Sequence, residues 1–201
     1  MADDKDVVSG NILGAARKLF AHYGYSKTTM ADIASECGMS PGNIYRFFPG
    51  KLDIAEAIAR EDDRLRLADL DKIASAPRCS ARKKLRDYFF AELRTTYRKF
   101  DQEPHALDIA RIISQRRPRF GETRVAAERE MIARILDEGT EKGEFDVSDA
   151  NYSAEMIHSA MLKFRFPQRW THAPLKTLER ELDGVLMLIM DGLTRRAGTE
   201  D

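Results

Sequence analysis

The sequence predicts an all-α protein of about nine helices, with a small N-terminal domain and a larger C-terminal one. Apolar residues recur every three or four positions along most of the chain, which is the spacing of one helix face. No segment shows the sustained apolar–polar alternation of a half-buried strand. Glycines and prolines interrupt the helical pattern at intervals, and each interruption marks the expected end of a helix.

The composition is typical of a globular protein and excludes several other classes. The 201 residues are 43% apolar and 33% charged, and no apolar run is long enough to span a bilayer. The N-terminus is acidic and polar, unlike a secretory signal. Cys37 and Cys79 match no metal or disulfide spacing. We therefore expect a cytoplasmic protein without membrane association, metal or cofactor.

Three short helices are predicted within residues 1–50. The first ends at Gly24, where a residue without a side chain suits a left-handed cap. The second begins after the N-cap residue Thr29, with Asp32 three residues later as a capping-box partner. It ends at Gly38, and the third helix begins after Ser40.

A fourth helix is predicted from about Lys51 to Ala74, and Pro77 ends it at the joint between the two domains. Further helices are expected at about 80–100, 104–114, 121–142, 149–165 and 174–196. The predicted organisation is a helix-turn-helix domain at 1–50, a connecting helix at 51–76 and a C-terminal domain at 77–201.

The second and third predicted helices have the spacing of a DNA-binding helix-turn-helix. Ala34, Gly38 and Ile44 supply a small residue where the helices cross, a glycine in the turn and an apolar anchor. The chain as a whole has equal numbers of basic and acidic residues, 33 of each, which counts mildly against nucleic-acid binding. Residues 10–51, however, carry five basic and two acidic side chains, so this segment is locally positive.

A set of linked motifs runs through residues 12–52. They are Leu19-Phe20 followed by Gly24-Tyr25, Thr28-Thr29, Ile33-Ala34, Gly38-Met39-Ser40, and a Tyr45-x-x-Phe48-x-x-Lys51 ending. This set resembles the DNA-binding domain of the tetracycline-repressor (TetR) family, with Cys37 standing where that family usually has alanine. In the C-terminal part the resemblance is confined to the helical layout and to the segment from Ile135 to Phe145.

The resemblance implies a homodimeric transcription regulator that binds a double-stranded DNA operator of two-fold symmetry. It implies repression more often than activation. It also implies an unidentified small-molecule effector that binds the C-terminal domain.

The candidate DNA-contacting residues are Thr28, Thr29, Ser40, Pro41, Gly42, Asn43, Tyr45, Arg46, Phe47 and Lys51. Ile44 and Phe48 are four residues apart and face the core, so their neighbours on the third helix face outward. Asn43 can then hydrogen-bond adenine and Arg46 guanine in the major groove. Gly42 removes a side chain where the backbone approaches the groove.

The remaining candidates are assigned to the phosphate backbone by the resemblance. Tyr45 and Lys51 resemble the family's phosphate contacts, and so does Thr28 or Thr29. Packing and helix capping are the alternatives for the tyrosine and the threonines. Phe47 either packs in the core or contacts a thymine methyl group.

The C-terminal domain carries candidates for an effector site, as the resemblance implies. Methionines and aromatic residues suit a pocket for a small, largely apolar molecule. The candidates are Phe89, Tyr97, Met131, Met156, Phe164 and Trp170. Ordinary core packing is the alternative for each of them, and Trp170 covers either the pocket or the core.

The last two predicted helices carry long apolar stripes that suit a four-helix dimer interface. The candidate interface residues are Ile157, Met161, Leu178, Leu182, Leu186 and Ile189. Two other functions stay open beside an effector-responsive repressor. One is an effector-independent DNA-binding protein. The other is a small helical enzyme or carrier, for which we find no catalytic residues, phosphate loop or metal spacing.

Overall fold

The structure, a computed structural model, describes residues 2–103, 105–167 and 171–194. These residues form helices and no strand, so the all-α prediction is confirmed. The helices are α1 (Ala2–Tyr23), α2 (Met30–Glu36), α3 (Pro41–Ile44), α4 (Lys51–Ala74), α5 (Ala81–Gln102), α6 (Ala106–Arg116), α7 (Pro118–Glu141), α8 (Ala150–Ala160), α9 (Leu162–Arg165) and α10 (Leu175–Gly192). Within the described ranges, no helix is both long and apolar enough to cross a membrane.

The one additional helix arises where the predicted helix at 149–165 is divided. α8 ends at Ala160, and the buried Met161 forms the junction with the short α9. The Met161 carbonyl accepts a hydrogen bond from the Phe164 amide at 2.9 Å. This bond starts a new and tighter turn. The predicted break at Pro104 lies outside the described residues.

The chain folds into two compact units. The first unit comprises Met1–Leu65 and Phe100–Glu122, and the second comprises Arg66–Lys99 and Thr123–Asp201. The long helix α4 therefore contributes residues to both units, and α6 belongs to the first. The predicted domain boundaries at residues 50 and 76 divide the chain into consecutive segments, whereas each unit combines two separate segments. These boundaries therefore stay a prediction.

The core of the first unit is built around the helix-turn-helix. Its buried apolar residues are Ile12, Ala15, Ala16, Phe20, Ile33, Ala34, Ile44, Ile54, Ala55, Ile58 and Ile113. Ala34 and Ile44 are fully buried, as the crossing of two helices over a short turn requires. Ile113 comes from α6, so a segment far along the chain completes the packing beneath the motif.

The core of the second unit is formed by α4, α5, α7, α8, α9 and α10. Its buried members include Leu70, Leu85, Tyr88, Phe89, Leu93, Ile132, Ile135, Leu136, Phe145, Met161, Leu178, Leu182 and Leu186. Gly139, on α7, lies against Phe145 and Ala81, where an added Cβ would overlap the Phe145 ring and stand 2.8 Å from the Ala81 Cβ. The absence of a side chain at Gly139 therefore allows this close approach.

Candidate functional site

The start of α2 is fixed by a reciprocal hydrogen-bonded cap. The Asp32 amide donates to the Thr29 hydroxyl at 3.1 Å, and the Thr29 amide donates to the Asp32 carboxylate at 2.8 Å. The Thr29 hydroxyl also donates to that carboxylate at 2.7 Å. These hydrogen bonds from Thr29 lower the pKa of Asp32. The predicted capping box is thus confirmed, and Thr29 remains exposed beside it.

The turn between α2 and α3 depends on Gly38. This residue has φ +65°, a conformation that glycine adopts without strain. The Met39 amide then reaches back to the Ala34 carbonyl at 2.8 Å, which closes the turn. Ser40 caps α3 through its backbone alone, so its exposed hydroxyl is not used for capping.

The outer side of α3 presents the residues predicted to contact DNA. Ser40, Pro41, Gly42, Tyr45 and Arg46 are exposed, and Asn43 and Phe47 are half-buried. Tyr45 is 54% exposed, which favours a contact outside the protein over the packing alternative. Phe47, in contrast, packs against the apolar core of the first unit. Among the residues that the structure describes, neither Asn43 nor Arg46 has a side-chain hydrogen bond, so neither side chain is engaged within the protein.

Thr28 requires a correction. Its side chain is buried, and its hydroxyl donates to the Gly24 carbonyl at 2.9 Å. A buried hydroxyl that bonds a backbone carbonyl stabilises the loop and does not reach a phosphate. Of the two threonines offered as phosphate contacts, only Thr29 is on the surface.

The Lys51 ammonium lies against the loop between α1 and α2. It donates to the Tyr25 carbonyl at 2.6 Å and to the Thr28 carbonyl at 2.5 Å, and it stands 4.4 Å from the centre of the Tyr25 ring. Two of its three N–H donors are therefore engaged inside the protein. Burial lowers the pKa of Lys51. Its predicted phosphate contact stays a prediction.

The predicted effector residues are only partly brought together. Phe89, Met131 and Phe164 are buried in one core cluster of the second unit, and Tyr97 packs against it half-buried. Met156 does not join them, because its side chain is 43% exposed on the outer side of α8. Met156 is therefore not a candidate for an internal effector site. Trp170 lies outside the described residues.

The predicted dimer residues also need correction. Ile157, Met161, Leu178, Leu182 and Leu186 are buried within the protein's own core, so they cannot face a partner without unfolding the protomer. Ile189 is half-buried at the edge of that core.

The exposed side of α10 carries a second apolar surface. Leu188 is 76% exposed and Met187 55% exposed, and Leu162 of α9 is exposed as well. A shallow groove runs between α10 and the α8–α9 junction, lined by Ala160, Lys163, Phe164, Arg180, Glu181, Gly184, Val185 and Leu188. This face replaces the buried stripe as the candidate interface.

A buried ion-pair network lies in the second unit, and no sequence motif predicted it. Glu128 accepts hydrogen bonds from Arg66 at 2.6 Å and from His158 at 2.9 Å, and it is also bonded by Arg165. Glu92 accepts from Arg66 at 3.2 Å and from Arg165 at 3.1 Å. Both carboxylates are almost completely buried, with 1% and 3% of the side chains exposed. The network joins α4, α5, α7, α8 and α9.

The Tyr88 hydroxyl is a further buried polar group, one turn before Glu92 on α5. It has no hydrogen-bond partner within the part of the chain that the structure describes. Burial raises the pKa of Tyr88, because the charged form would be desolvated.

Two family models match the chain over most of its length. One, described as bacterial regulatory proteins of the tetR family, matches residues 12–58. The other, described as a tetracyclin repressor-like C-terminal domain, matches residues 81–186. The chain belongs to the TetR family. It is therefore a helix-turn-helix transcription regulator, and the predicted family is confirmed.

Two curated relatives and one solved structure illustrate how the similarity to other TetR regulators is distributed. The repressor KstR2 of Mycolicibacterium smegmatis is 29% identical over 195 residues, which cover 93% of this chain and 91% of the relative. The repressor Rv1474c of Mycobacterium tuberculosis is 45% identical over only 51 residues, 25% of this chain and 27% of the relative. FadR of Thermus thermophilus, solved in complex with lauroyl-CoA, has a TM-score of 0.68 and 24% identity over 96% of this chain and 98% of its own. The last comparison shows the shared fold.

The buried charges of this TetR-family chain are visible in the sequence as acids within apolar helix faces, but periodicity alone does not identify their partners. Glu92 lies three residues after Phe89 and Glu128 three residues before Met131, so each acid interrupts an apolar helix face. A charge within an apolar stripe is buried only when it is paired. The pairing partners are distant in sequence and could not be chosen from spacing.

The network predicts a loss of stability in acid. Burial alone would raise the pKa of Glu128, but the hydrogen bond from His158 and the charges of Arg165 and Arg66 outweigh burial and hold the pKa at about 2, below the ordinary 4.5. Because the folded pKa is depressed, the stabilisation is present above about pH 4.5 and is lost as the pH falls toward 2. We expect the urea midpoint of unfolding to decrease across this range.

Glu128→Gln isolates this contribution. Removing one partner of a buried pair leaves Arg165 and Arg66 undercompensated and should lower the free energy of unfolding at neutral pH by about 3–5 kcal/mol. The fall of the urea midpoint in acid should become shallower. Glu141→Gln, an exposed acid on the same helix, serves as the control and should change neither. An equally steep acid dependence in Glu128→Gln would contradict the assignment.

Proposed function

We propose that this TetR-family regulator is a homodimeric repressor that binds a two-fold-symmetric operator and leaves it when a small, largely apolar effector binds. The observation that carries the proposal is the outer side of the helix-turn-helix. Asn43 and Arg46 have no partner among the described residues, while the adjacent Ile44 is anchored in the core. Such a side can enter a major groove without disturbing the packing behind it.

The roles of these side chains follow from their chemistry. An asparagine amide matches adenine, and a guanidinium matches guanine, in each case through two hydrogen bonds. Exposed Ser40 and Tyr45 supply hydroxyl groups for the flanking phosphates, which fix position without reading sequence. The Thr29 hydroxyl donates to Asp32, so a phosphate contact by Thr29 would have to replace this hydrogen bond.

Effector control is supported by the second unit and by the relatives. The buried Phe89, Met131 and Phe164 form an apolar cluster that can accept a ligand on rearrangement. FadR of Thermus thermophilus was solved with lauroyl-CoA, and KstR2 is a repressor with similarity along most of this chain. We infer an effector with a large apolar part.

The first unit supports a route from the C-terminal half of the chain to the DNA-binding motif. Arg117, the residue that caps the C-terminal end of α6, donates to Asp53 at 3.0 Å and to Glu56 at 2.8 Å on α4. Both acids lie within two turns of the start of α4, directly after the motif. A shift of α6 and Arg117 would therefore act on the start of α4, directly after the helix-turn-helix.

The apolar face of α10 supports a dimer. A protomer that exposes Leu188 and Met187 side by side next to a groove presents a surface that a second copy can cover. Two recognition helices related by two-fold symmetry would then lie about 34–36 Å apart, or a multiple of it, to reach successive major grooves.

Alanine substitutions at the recognition residues test the proposed base contacts. An operator is first selected from random duplexes by the purified protein. Asn43→Ala or Arg46→Ala should weaken binding by about 1–3 kcal/mol per half-site and relax base preference at particular positions. Fluorescence anisotropy on single-base operator variants measures both effects. Arg64→Ala removes an exposed charge from α4 and should leave base preference intact. Equal weakening on every sequence by the recognition variants would refute the assignment.

Glutamate substitutions distinguish the exposed face of α10 from its buried one. Leu188→Glu should yield a folded monomer, because the charge prevents burial against a partner. Leu182→Glu should unfold the protomer, because it places a charge in the core. Sedimentation equilibrium and circular dichroism separate the two results. Leu65→Glu, at an exposed leucine in the first unit, is the control. An intact Leu188→Glu dimer would move the interface elsewhere.

Effector control is tested with a panel of apolar carboxylic acids and acyl thioesters that includes lauroyl-CoA. At least one compound should weaken operator binding, and a loss of about 100-fold requires about 2.7 kcal/mol of coupling. By reciprocity, operator DNA should weaken binding of that compound by the same factor. Phe89→Leu should reduce the response more than it reduces operator affinity, whereas Met156→Ala should not. If no compound changes operator binding, the effector-independent alternative is favoured.

A further inference from the structure

We propose that the effector carries a neutral hydroxyl group, which binds to a row of buried polar side chains on α5 formed by Tyr88, Glu92 and Thr96. This inference rests on the proposed function and deepens it, because it adds a polar end to an effector that is otherwise apolar. The ligand class that fits the row is an alcohol or a phenol with an apolar body.

The row follows from the spacing of polar residues along α5. Lys84, Tyr88, Glu92 and Thr96 are buried and lie four residues apart, so they share one side of the helix. Lys84 is paired, because its ammonium donates to Glu138 at 2.6 Å. The other three lie in the second unit, where α5 packs into the apolar core. A buried polar group is unfavourable without a hydrogen-bond partner, so each of the three requires one.

Each side chain of the row has a polar atom that is not used within the described ranges of the chain. Tyr88 is completely buried, and its hydroxyl has no hydrogen-bond partner there. Thr96 is only 9% exposed, and its hydroxyl makes no hydrogen bond with the described residues. Arg66 and Arg165 both donate to Oε1 of Glu92, and Oε2 accepts no hydrogen bond from the described residues. The row therefore offers two hydroxyl groups and one acceptor oxygen to a ligand.

The Tyr88 hydroxyl lies close to the charges of the buried network. Burial raises the pKa of Tyr88 most, and the charges of Glu92 and Glu128 raise it further. The charges of Arg66 and Arg165 act on this pKa in the opposite direction. Residues four apart on a helix are neighbours, about 5–6 Å apart between Cβ atoms. A small group bound at Tyr88 can therefore also reach Glu92.

The chemistry of the three unused atoms selects a hydroxyl group on the ligand. A hydroxyl can donate to Glu92 and at the same time accept from Tyr88 or Thr96. A carboxylate has no proton to donate to Glu92 and would be repelled by it, and an ammonium cannot accept from Tyr88. Arg66 and Arg165 already compensate the charge of Glu92, which reduces its attraction for an ammonium.

The neighbours of Glu92 suggest how a ligand enters and what it acts on. Arg165, on the four-residue α9, donates to Glu92 at 3.1 Å, so α9 lies next to the row. A helix this short has little stability of its own, so we expect α9 to move when a ligand enters. Arg66 bonds the same oxygen from α4, the helix that begins directly after the helix-turn-helix. A ligand at the row would therefore also act on α4.

Binding of two matched sets of compounds to the free protein tests the proposal. One set is octanol, octanoate and octylamine, and the other is 2-naphthol, 2-naphthoate and naphthalene. Isothermal titration calorimetry at neutral pH measures each affinity. In at least one set, the hydroxyl compound should bind about tenfold or more tightly than its matched compounds, because only it satisfies the row. Absence of binding by both hydroxyl compounds, or equal binding within each set, would overturn the proposal.

Tyr88→Phe removes one hydroxyl of the row and keeps the shape of the ring. It should weaken binding of the hydroxyl compound by about tenfold, the size of one buried hydrogen bond. The matched compounds should bind the variant as they bind wild type. Tyr23→Phe removes the hydroxyl of an exposed tyrosine in the first unit and serves as the control. If the hydroxyl compound binds Tyr88→Phe as tightly as wild type, the row is not its site.

Urea unfolding separates a ligand-binding role from a structural one. Removal of a buried hydroxyl without a partner costs no hydrogen bond, so Tyr88→Phe and Thr96→Val should leave the urea midpoint unchanged or raise it. A lower midpoint in both variants would mean that these hydroxyls stabilise the free protein. That result would overturn the proposal.

Operator binding distinguishes this inference from the proposed function. If a hydroxyl compound binds through Tyr88 but leaves operator affinity unchanged, the row is a binding site and effector control by it fails. Release of the operator by apolar acids or thioesters, equal in wild type and Tyr88→Phe, would have the opposite meaning. Effector control would then stand, and the inference about the hydroxyl group would be overturned.

Discussion

The charged carboxylate of Glu128 is the constraint on which the second unit depends. It is almost completely buried, and a charge removed from water is tolerated only when partners lie within hydrogen-bond reach. Arg66, His158 and Arg165 supply these partners from three other helices. Apolar packing has no direction, whereas these bonds do, so the helices cannot shift about α7 independently without leaving the charge uncompensated.

The DNA-binding end is organised by shorter-range effects, and these were readable in the sequence. Thr29 and Asp32 form the expected cap, and Gly38 takes the left-handed conformation that the turn requires. Such features depend on residues that are neighbours in the chain, so spacing and residue type were sufficient to predict them. The family resemblance rested on the same segment, and the match at residues 12–58 confirms it.

The errors concerned which side chains are buried and what they contact there. The periodicity of α10 identified an apolar stripe but not which side of it faces the protein's own core, because Val185 to Met190 are apolar all round the helix. Thr28 has the polar side chain of a typical surface residue, yet it is buried and its hydroxyl donates to the Gly24 carbonyl. Glu92 and Arg165 are 73 residues apart, so no spacing rule could pair them. Helix positions were therefore predicted better than helix faces.

The brevity of α3 has a consequence for how much information one protomer can read. The helix has four residues, and only its outer side and the turn that follows it are free to meet base edges. So small a reading surface specifies few base pairs, whereas a genome offers on the order of 10⁶–10⁹ competing sites. A single copy would find matching sequences at many places in a genome. Recognition of one site then requires a second copy at a fixed distance, so that the spacing between half-sites also contributes to specificity.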